Sequence, residues 1–415
     1  MTDVRSAVRS GPAAAGVSVR PGATLVEEDG KMLLNMGPQH PATHGVLRLV
    51  LELDGEVVLS CRPVIGYVHT GIEKTYEYKT YHQDVTMTDR MDYLCPLSNN
   101  LAFALCVERL FEVEAPPRAQ VARVLLTELT RLNSHLVWLG TQALDLGAMS
   151  VFFYCFRERE MLLDLFELCS GARMMTSYIR PGGLYFDLPE GFGAKVEEIL
   201  RVFPARIDEY EDLLTNNELW RDRTIGIGRI SAEEAIAWGL SGSNLRASGV
   251  NWDVRKIEPY CGYEQYEFNV PLGSNGDVYD RYLCRMREMR ESLKIVRQAL
   301  NRLPGGDYAL HDHKLSFPSR SELATSMEAL IHHFKIATEG YRVPAGEAFV
   351  PVESPRGEMG FYIVSDGSGR PYKCHVRAPS FYNLAAISKM AEGGLVADLV
   401  ALIGSLDPVL GDVDR

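Results

Sequence analysis

Two long apolar seams with helical spacing constrain the fold of this chain more than any other feature. The first seam consists of Leu125, Leu129, Leu132, Leu136, Leu139, Ala143 and Leu146. The second consists of Tyr282, Met286, Met289, Leu293, Val296, Leu300 and Leu303. Alternating steps of four and three residues place these side chains on one face of a long helix, which must be buried against other helices. The sequence therefore predicts a helical bundle.

Turn-forming residues mark the ends of these helices. Pro116–Pro117 suits the start of the first helix and Gly147 its end, and residues 304–306 (PGG) stop the second. Two further helices are predicted through residues 151–169 and 194–214, the latter bent at Pro204. The last bundle helix carries arginines interleaved with Glu288 and Glu291, which predicts a solvated face, with a partner interface as the less favoured alternative. These arginines are Arg281, Arg285, Arg287, Arg290 and Arg297.

Strand patterns flank the bundle. Residues 46–61, VLRLVLELDGEVVLSC, alternate around Asp54-Gly55 and predict an antiparallel hairpin. GFYIV and YKCHVR, around the turn SDGSGR, predict a second β element within residues 357–377. The expected fold class is α+β. We expect a disordered or extended tail at 1–30, a β region at 31–65, the helical bundle at 66–340, and a β hairpin with helices at 341–415.

Composition excludes several function classes. The formal charge of −12 and pI of 5.4 argue against nucleic acid as a partner. No uncharged apolar run reaches the roughly 18 residues that a membrane span needs. The eight cysteines show no C-x-x-C spacing, which excludes a local zinc or iron–sulfur signature and predicts buried thiols, with Cys95 left open. The glycine-rich stretches at Gly226 and Gly239 lack a dinucleotide fingerprint and a P-loop lysine.

Three polar residues are candidates for chemistry. GPQHPATHG, residues 37–45, holds His40 and His44 in a loop stiffened by proline and glycine. Asp145 falls in the last turn of the first long helix, where the helix dipole disfavours an anion by about 0.3–1 kcal/mol. His44 is the candidate for its partner, and Tyr93 is the third member of a relay able to donate protons to a carbonyl. A structural role is the alternative left open for each, and for His40 it is preferred.

Five stretches carry a resemblance that covers almost everything after about Lys31. They are NMGPQHPATHGVLRLVLELDGE, GYVHTGIEKTYEYKTYHQDVTMTDRMDYLCPLSNN, ALDLGAMSVFFYCFREREMLLDLFE, LRASGVNWDVRK and SLDPVLGDVDR. Here the chain resembles the D-type subunits of NADH–quinone oxidoreductase, respiratory complex I, a family related to the large subunit of nickel–iron hydrogenases.

The resemblance implies a quinone site shared with a neighbouring subunit. His44 and Tyr93 match the headgroup ligands, Asp145 the carboxylate that pairs with the histidine, and Arg90 an arginine near the partner's terminal iron–sulfur cluster. Quinone is then the substrate, and this chain binds no metal or cluster itself. The implied partners are the B-type subunit with the terminal cluster, the C-type subunit, and the H-type membrane subunit at the quinone entrance. The implied location is peripheral, on the cytoplasmic side of the cell membrane.

The hydrogenase relationship also implies where metal ligands have been lost. The first pair of ligand cysteines falls on Asp92 and Cys95, and the second on Val409 and Asp412. Nickel needs soft thiolate ligands, so one remaining thiolate excludes a hydrogenase. The emptied metal cavity is expected to become the quinone pocket, with Cys95 a relic or a pocket-lining thiol.

Two departures from the family pattern bear on the site. Many relatives carry arginine at Thr70 and histidine at Met175, where the histidine couples reduction of the cluster to protonation. We therefore expect a cluster potential that depends less on pH and is lower, as suits menaquinone. A related oxidoreductase fed by ferredoxin or formate, and a scaffold without a pocket, are the alternatives.

Overall fold

Long helices and antiparallel sheets make up the structure, a computed structural model that describes residues 25–26, 31–312 and 314–415. The strands are β1 (Leu25–Val26), β2 (Lys31–Met36), β3 (Arg48–Asp54), β4 (Val57–Val64), β5 (Ile179–Arg180), β6 (Gly183–Leu184), β7 (Gly346–Ser354), β8 (Gly357–Ser365) and β9 (Lys373–Arg377). The helices are α1 (Ile72–Tyr76), α2 (Tyr81–Thr88), α3 (Pro96–Phe111), α4 (Pro117–Asp145), α5 (Met149–Ser170), α6 (Phe192–Leu214), α7 (Glu218–Asp222), α8 (Ala232–Ala237), α9 (Gly242–Arg246), α10 (Val254–Ile257), α11 (Val278–Arg302), α12 (Arg320–Thr325), α13 (Met327–Glu339), α14 (Pro379–Ala385), α15 (Ile387–Met390), α16 (Val396–Leu406) and α17 (Leu410–Asp414). The architecture is α+β, as predicted.

A bundle of α4, α5, α6 and α11 forms the centre of the molecule, as the two seams predict. The α4 seam is buried from Leu125 to Ala143, and α4 packs against α5, α11 and α16. Gly147, with a φ of +94°, follows the end of α4, where an L side chain would be strained. Pro204 lies inside α6, as its sequence position implies.

The prediction of a solvated face is wrong for the first half of α11. Arg281, Arg285 and Glu288 are buried in the interior. Arg281 donates to the carbonyls of Gly228 and Gly276, and Arg285 donates to the carbonyl of Ser405. Buried charges persist where hydrogen bonds and counter-charges satisfy them, and periodicity alone does not reveal that.

An N-terminal antiparallel sheet has the strand order β1-β2-β3-β4. The predicted hairpin is confirmed, with Asp54 opposite Val57 across the turn. Leu49, Leu51 and Leu53 alternate into a core that the sheet shares with α14 to α17. Leu25–Val26 pairs with β2, whereas residues 1–24 and 27–30, most of the predicted tail, lie outside the described residues.

A C-terminal sheet of β7, β8 and β9 packs on α1 to α3 and forms a third core. The predicted strands correspond to β8 and β9. The sequence analysis did not identify β7, whose apolar alternation is interrupted by Pro351. β7 is an edge strand, the position in a sheet that tolerates proline.

Within the described ranges, no helix combines the length and the apolar character needed to cross a membrane.

We predict that Glu108→Ala lowers the free energy of unfolding by about 3–5 kcal/mol, because it leaves the buried guanidinium of Arg123 without its counter-charge. Arg123 Nη1 lies 3.0 Å from Glu108 Oε2, and both side chains are buried. Urea unfolding followed by circular dichroism measures the change.

The control is Glu197→Ala, which removes an ion pair with Arg297 whose two side chains are 50% and 43% exposed. Exposed pairs contribute about 0–1 kcal/mol. Equal losses in the two variants would contradict a special role for the buried pair.

Candidate functional site

A cavity of about 260 Å³ opens beside Tyr93. Val46 and Leu410 on its wall pack on the core of the N-terminal sheet, whereas Ile72 and Met87 pack on that of the C-terminal sheet. The cavity therefore lies where two cores meet, which is a common location for ligand sites. Its remaining lining residues are Val68, Thr70, Arg90, Gly411 and Arg415.

Tyr93 lies on the connection between α2 and α3, residues 89–95, and its side chain is accessible. Burial raises the pKa of the phenol, and the guanidinium of Arg356 opposes this shift. Gly411 packs against the connection so closely that a Cβ there would lie 2.5 Å from the carbonyl oxygen of Met91 and 3.2 Å from Tyr93 Cδ1. The C-terminal helix α17 therefore fixes the position of the phenol.

Two consecutive asparagines of α3 hold the ends of this connection. The side-chain amide of Asn99 donates to the carbonyls of Thr88 and Asp92 at 2.9 and 3.0 Å. The amide of Asn100 donates to Thr88 Oγ1 and to Asp89 Oδ1, both at 2.7 Å. These contacts are buried, so they hold the backbone of the connection in one conformation while Tyr93 stays accessible.

Beneath the connection, Arg356 joins four parts of the chain. Its Nη1 donates to Asp92 Oδ2 at 2.7 Å and to Ser134 Oγ of α4 at 2.8 Å. Its Nε donates to the carbonyl of Asp407 at 3.2 Å, and its Nη2 to the carboxylate of that residue at 3.3 Å. The guanidinium is fully buried, and Asp407 and Asp92 raise its pKa against the effect of burial. It is a permanent positive charge below Tyr93.

Three of the four positions matched to lost metal ligands, Asp92, Cys95 and Asp412, act on this guanidinium. Asp92, Cys95, Val409 and Asp412 are all buried, and Cys95 Sγ donates to Asp92 Oδ2 at 2.8 Å. Burial raises the pKa of the Cys95 thiol, and the charge of Asp92 raises it further. The same two causes raise the pKa of Asp412 to about 6. Arg356 lies in this interior, and the open cavity lies beside it, at Tyr93, Leu410 and Gly411.

The loop of His44 is rigid for reasons visible in its sequence. His40 caps a short 3₁₀ turn, Pro41–Thr43, by accepting a hydrogen bond at Nδ1 from the Ala42 amide at 3.2 Å. This contact supports the structural role expected for His40. His44 follows the turn in the left-handed region, with a φ of +53°.

His44 is exposed at the surface of its loop, and the atoms packed around its imidazole desolvate the ring in part. This desolvation, followed by the charge of Arg356, lowers the pKa of His44 to about 4. The ring is therefore neutral near neutral pH and presents one N–H donor and one acceptor. Arg356 is thus the charge that acts on both His44 and Tyr93.

Asp145 is the last residue of α4, as predicted, and is half-buried. Burial raises the pKa of its carboxyl, and the nearby imidazole of His40 opposes this rise. Among the described side chains, no hydrogen bond or ion pair joins Asp145 to His44. Arg356 therefore acts electrostatically on both the imidazole and the phenol, and of the residues His44, Tyr93 and Asp145 it is Tyr93 that lines the cavity.

Arg90 and Thr70 line the cavity, and Arg90 is exposed. Met175 is half-buried, two residues before Ser177. The amide and hydroxyl of Ser177 donate to Asp89 Oδ2 at 3.0 and 2.5 Å, so the Met175 segment is attached to the residue that precedes Arg90. A second cavity, of about 230 Å³, lies beside His82 and Arg180 and contains none of the predicted site residues.

Sequence reasoning missed Arg356 and Asp407, the charges on which the site is built. Arg356 lies in the turn between β7 and β8, and Asp407 between α16 and α17. The stretch SLDPVLGDVDR contains Asp407, so the segment was identified but this residue was not. Within the described part of the chain, no group of three or more His, Cys, Asp or Glu side chains is arranged to hold a metal ion.

Comparison with known proteins identifies the relatives of this chain. The family profile of the 49 kDa subunit of respiratory-chain NADH dehydrogenase matches residues 145–415. A D-type subunit of NADH-quinone oxidoreductase from Chloroflexus aurantiacus is 64% identical over 92% of this chain and 94% of its own length. The corresponding D-type subunit from Roseiflexus castenholzii is 64% identical over 95% of both chains. That from Geotalea uraniireducens is 56% identical over 92% of this chain and 98% of its own length.

The family profile covers more than half of the chain, and these relatives align over nearly their whole lengths. The chain therefore belongs to the family of the 49 kDa subunit of respiratory-chain NADH dehydrogenase and is a subunit of an oxidoreductase complex.

Proposed function

We propose that the cavity beside Tyr93 receives the headgroup of a quinone, which is reduced there within a proton-translocating NADH:quinone oxidoreductase. The observation that carries the proposal is the grouping of an accessible phenol and a neutral imidazole around one buried guanidinium, next to an apolar cavity. A quinone headgroup has the same combination of properties, because it is a flat apolar ring with carbonyl oxygens that accept hydrogen bonds.

Proton donation follows from these groups. Reduction of a quinone adds electrons and makes its carbonyl oxygens strongly basic, so that each oxygen takes a proton. The Tyr93 hydroxyl supplies one of these protons, and Arg356 stabilises the phenolate that remains. His44, which is neutral at rest, donates a hydrogen bond from its N–H to the other oxygen. Developing negative charge there favours the imidazolium and shifts the proton affinity of His44 upward from its resting value.

Asp145 acts in the proposed mechanism on the loop that carries His44. We propose that Asp145 pairs with His44 once the headgroup is bound, as the family match implies, and that His40 occupies its surroundings beforehand. Negative charge that develops on the headgroup lets His44 take up a proton from solvent and pass it to the reduced oxygen. Each of these two steps changes the charge of the pair, which biases the conformation of the loop and couples reduction to proton translocation.

The assembly partners are proposed from the same match. Electrons reach the quinone from the terminal iron–sulfur cluster of the B-type subunit, which faces Arg90. The C-type subunit and the H-type membrane subunit complete the surroundings on the cytoplasmic face of the membrane. The alternatives of a ferredoxin- or formate-fed enzyme and of an inert scaffold are less favoured, because the relatives at 56–64% identity carry the name NADH-quinone oxidoreductase.

We predict that Tyr93→Phe in the assembled complex lowers quinone reduction about 10²-fold or more, the range that removal of a general acid produces. NADH oxidation by an artificial acceptor, which bypasses the quinone, should be unchanged. Both rates are measured on the same purified complex.

The matched control is Tyr372→Phe, which removes a hydroxyl from an exposed tyrosine outside the cavity. It should leave both rates unchanged. Equal loss of both activities in Tyr93→Phe would show failed assembly, and an unchanged quinone rate would exclude the proposed donor.

We predict that the potential of the adjacent iron–sulfur cluster depends only weakly on pH in this protein, because Met175 cannot take up a proton. Met175→His should increase the slope towards about 59 mV per pH unit, the limit for one proton per electron. Redox titration at several pH values, followed by electron paramagnetic resonance, measures both slopes. A steep slope in the unsubstituted complex would contradict the role assigned to Met175.

A further inference from the structure

Seven buried charged side chains form a network in the middle of the bundle, separate from the cavity. We call it the buried ion network. Its members come from α4, α9, α11, β7 and the segment around α10, and each is at most 1% exposed. They are Glu128, Arg131, Arg246, Asp253, Arg255, Glu288 and Glu353.

Three of the four carboxylates of the network are compensated, which means that hydrogen-bond donors and positive charges offset the effect of burial. Glu288 is one of them. It accepts hydrogen bonds from Arg131 at 3.0 Å, from Ser243 at 2.8 Å and from Arg246 at 3.3 Å. Although burial acts in the opposite direction, Arg246 and Arg131 hold the pKa of Glu288 well below its usual value. This carboxyl is therefore ionised.

Glu128 and Asp253 are also well compensated. Glu128 accepts from Arg255 at 3.0 Å, from Tyr263 at 2.6 Å and from Arg131 at 3.3 Å. Asp253 accepts two hydrogen bonds from the side chain of Arg255, at 3.0 and 2.7 Å. The pKa of each is lowered by these guanidinium groups against the effect of burial.

Glu353 is the least compensated member. It accepts from Arg246 Nη1 at 2.6 Å and from the Val254 amide at 3.2 Å, and Arg246 already serves Glu288. Burial, with the like charge of Asp253 as a further cause, raises the pKa of Glu353, whereas Arg246 opposes the rise.

The charges of the network do not balance. Its four carboxylates face three guanidinium groups, so full ionisation would leave one uncompensated negative charge in an interior without solvent. An isolated charge at such a depth is costly, and a carboxyl in that position keeps its proton instead.

The neighbouring titratable groups do not supply the missing charge. His135 Nε2 lies 3.4 Å from Glu288, but burial lowers the pKa of His135 and favours its neutral form. Arg285 donates to Asn244 and to the Ser405 carbonyl and not to a carboxylate of the network, and Asp407 acts on it more strongly than Glu288 does. Tyr260 and Tyr263 are buried phenols whose pKa is raised by burial, so both remain neutral.

We propose that the buried ion network holds one exchangeable proton, that Glu353 carries it, and that its presence is sensed at the headgroup site through Arg356. The exchange is a proton bound to or released from one carboxyl oxygen of Glu353, and no electron moves. The inference rests on the proposed function only for its effect on quinone reduction, because the protonation itself is a property of the network.

The link to the site is a single tight turn. Glu353 precedes the turn between β7 and β8, and Arg356 lies within it. The turn cannot shift freely, because a Cβ on Gly357 would lie 2.4 Å from Ser241 Oγ, and one on Gly242 2.5 Å from Gly357 Cα. A negative charge that develops on Glu353 therefore acts on groups around Arg356 at a fixed position and raises the proton affinity of Tyr93 and His44.

The test uses the assembled complex with Glu353→Gln, which imitates the protonated carboxyl. Infrared difference spectra between neutral and alkaline pH should show the loss of carboxylic acid carbonyl bands in the unsubstituted complex, and one of these bands should be missing in Glu353→Gln. Quinone reduction should decline towards alkaline pH, by at most about tenfold per pH unit for a single proton, and the decline should be absent in Glu353→Gln.

Two further variants decide between explanations. Asp253→Asn removes the surplus negative charge from another residue of the network. It should therefore abolish the alkaline decline, as Glu353→Gln does. If Glu353→Gln does not assemble, Asp253→Asn serves as the test of the exchangeable proton. Glu347→Gln, an exposed change on the same strand, should behave like the unsubstituted complex. An unchanged infrared band in both Glu353→Gln and Asp253→Asn would overturn the proposal. A normal infrared result without any effect on quinone reduction would overturn only the link to the headgroup site.

Discussion

The site depends on one buried cation, the guanidinium of Arg356. Its contacts with Asp92, Ser134 and Asp407 join the α2–α3 connection, the bundle helix α4 and the C-terminal segment. Four segments that are distant in sequence are thereby held at one point below Tyr93. Because the guanidinium stays charged under all physiological conditions, it sets the electrostatic potential at both proposed donors.

The chemistry of this interior differs from that of a thiolate metal centre. Only Cys95 is a thiol among the four positions that match hydrogenase ligands, and it donates to Asp92 instead of facing an open cavity. A fixed positive charge among carboxylates stabilises that arrangement. The cavity that remains open lies outside it, on the side of the phenol, where apolar walls suit an organic ring.

The helical fold was predictable because apolar periodicity is a local property of the chain. Residues 125–143 identify the buried face of α4 without knowledge of any other element. The buried charges were not predictable in this way. Arg281, Arg285 and Glu288 lie on a helix rich in charge, and the same composition is typical of a solvated face. Only the tertiary fold shows that carbonyls and counter-charges surround them.

The same distinction applies to the site. The loop of His44 and the position of Asp145 at a helix end follow from prolines, glycines and helix length, which are local. Arg356 gives no local signal, since its partners Asp92 and Asp407 are 264 and 51 residues away in sequence. The surroundings of Asp145 were also beyond the sequence, because two histidines lie on one loop and the tertiary fold is needed to show that His40 acts on the carboxylate.

The central claim is that the quinone headgroup binds in the cavity beside Tyr93. The most direct measurement is photoaffinity labelling of the assembled complex with a quinone that carries a photoreactive group on its ring, followed by peptide mass spectrometry. We predict labelling of the α2–α3 connection, residues 89–95, and of the His44 loop, and we predict that excess unlabelled quinone prevents it. Labelling confined to the second cavity, beside His82 and Arg180, or to other subunits would contradict the account.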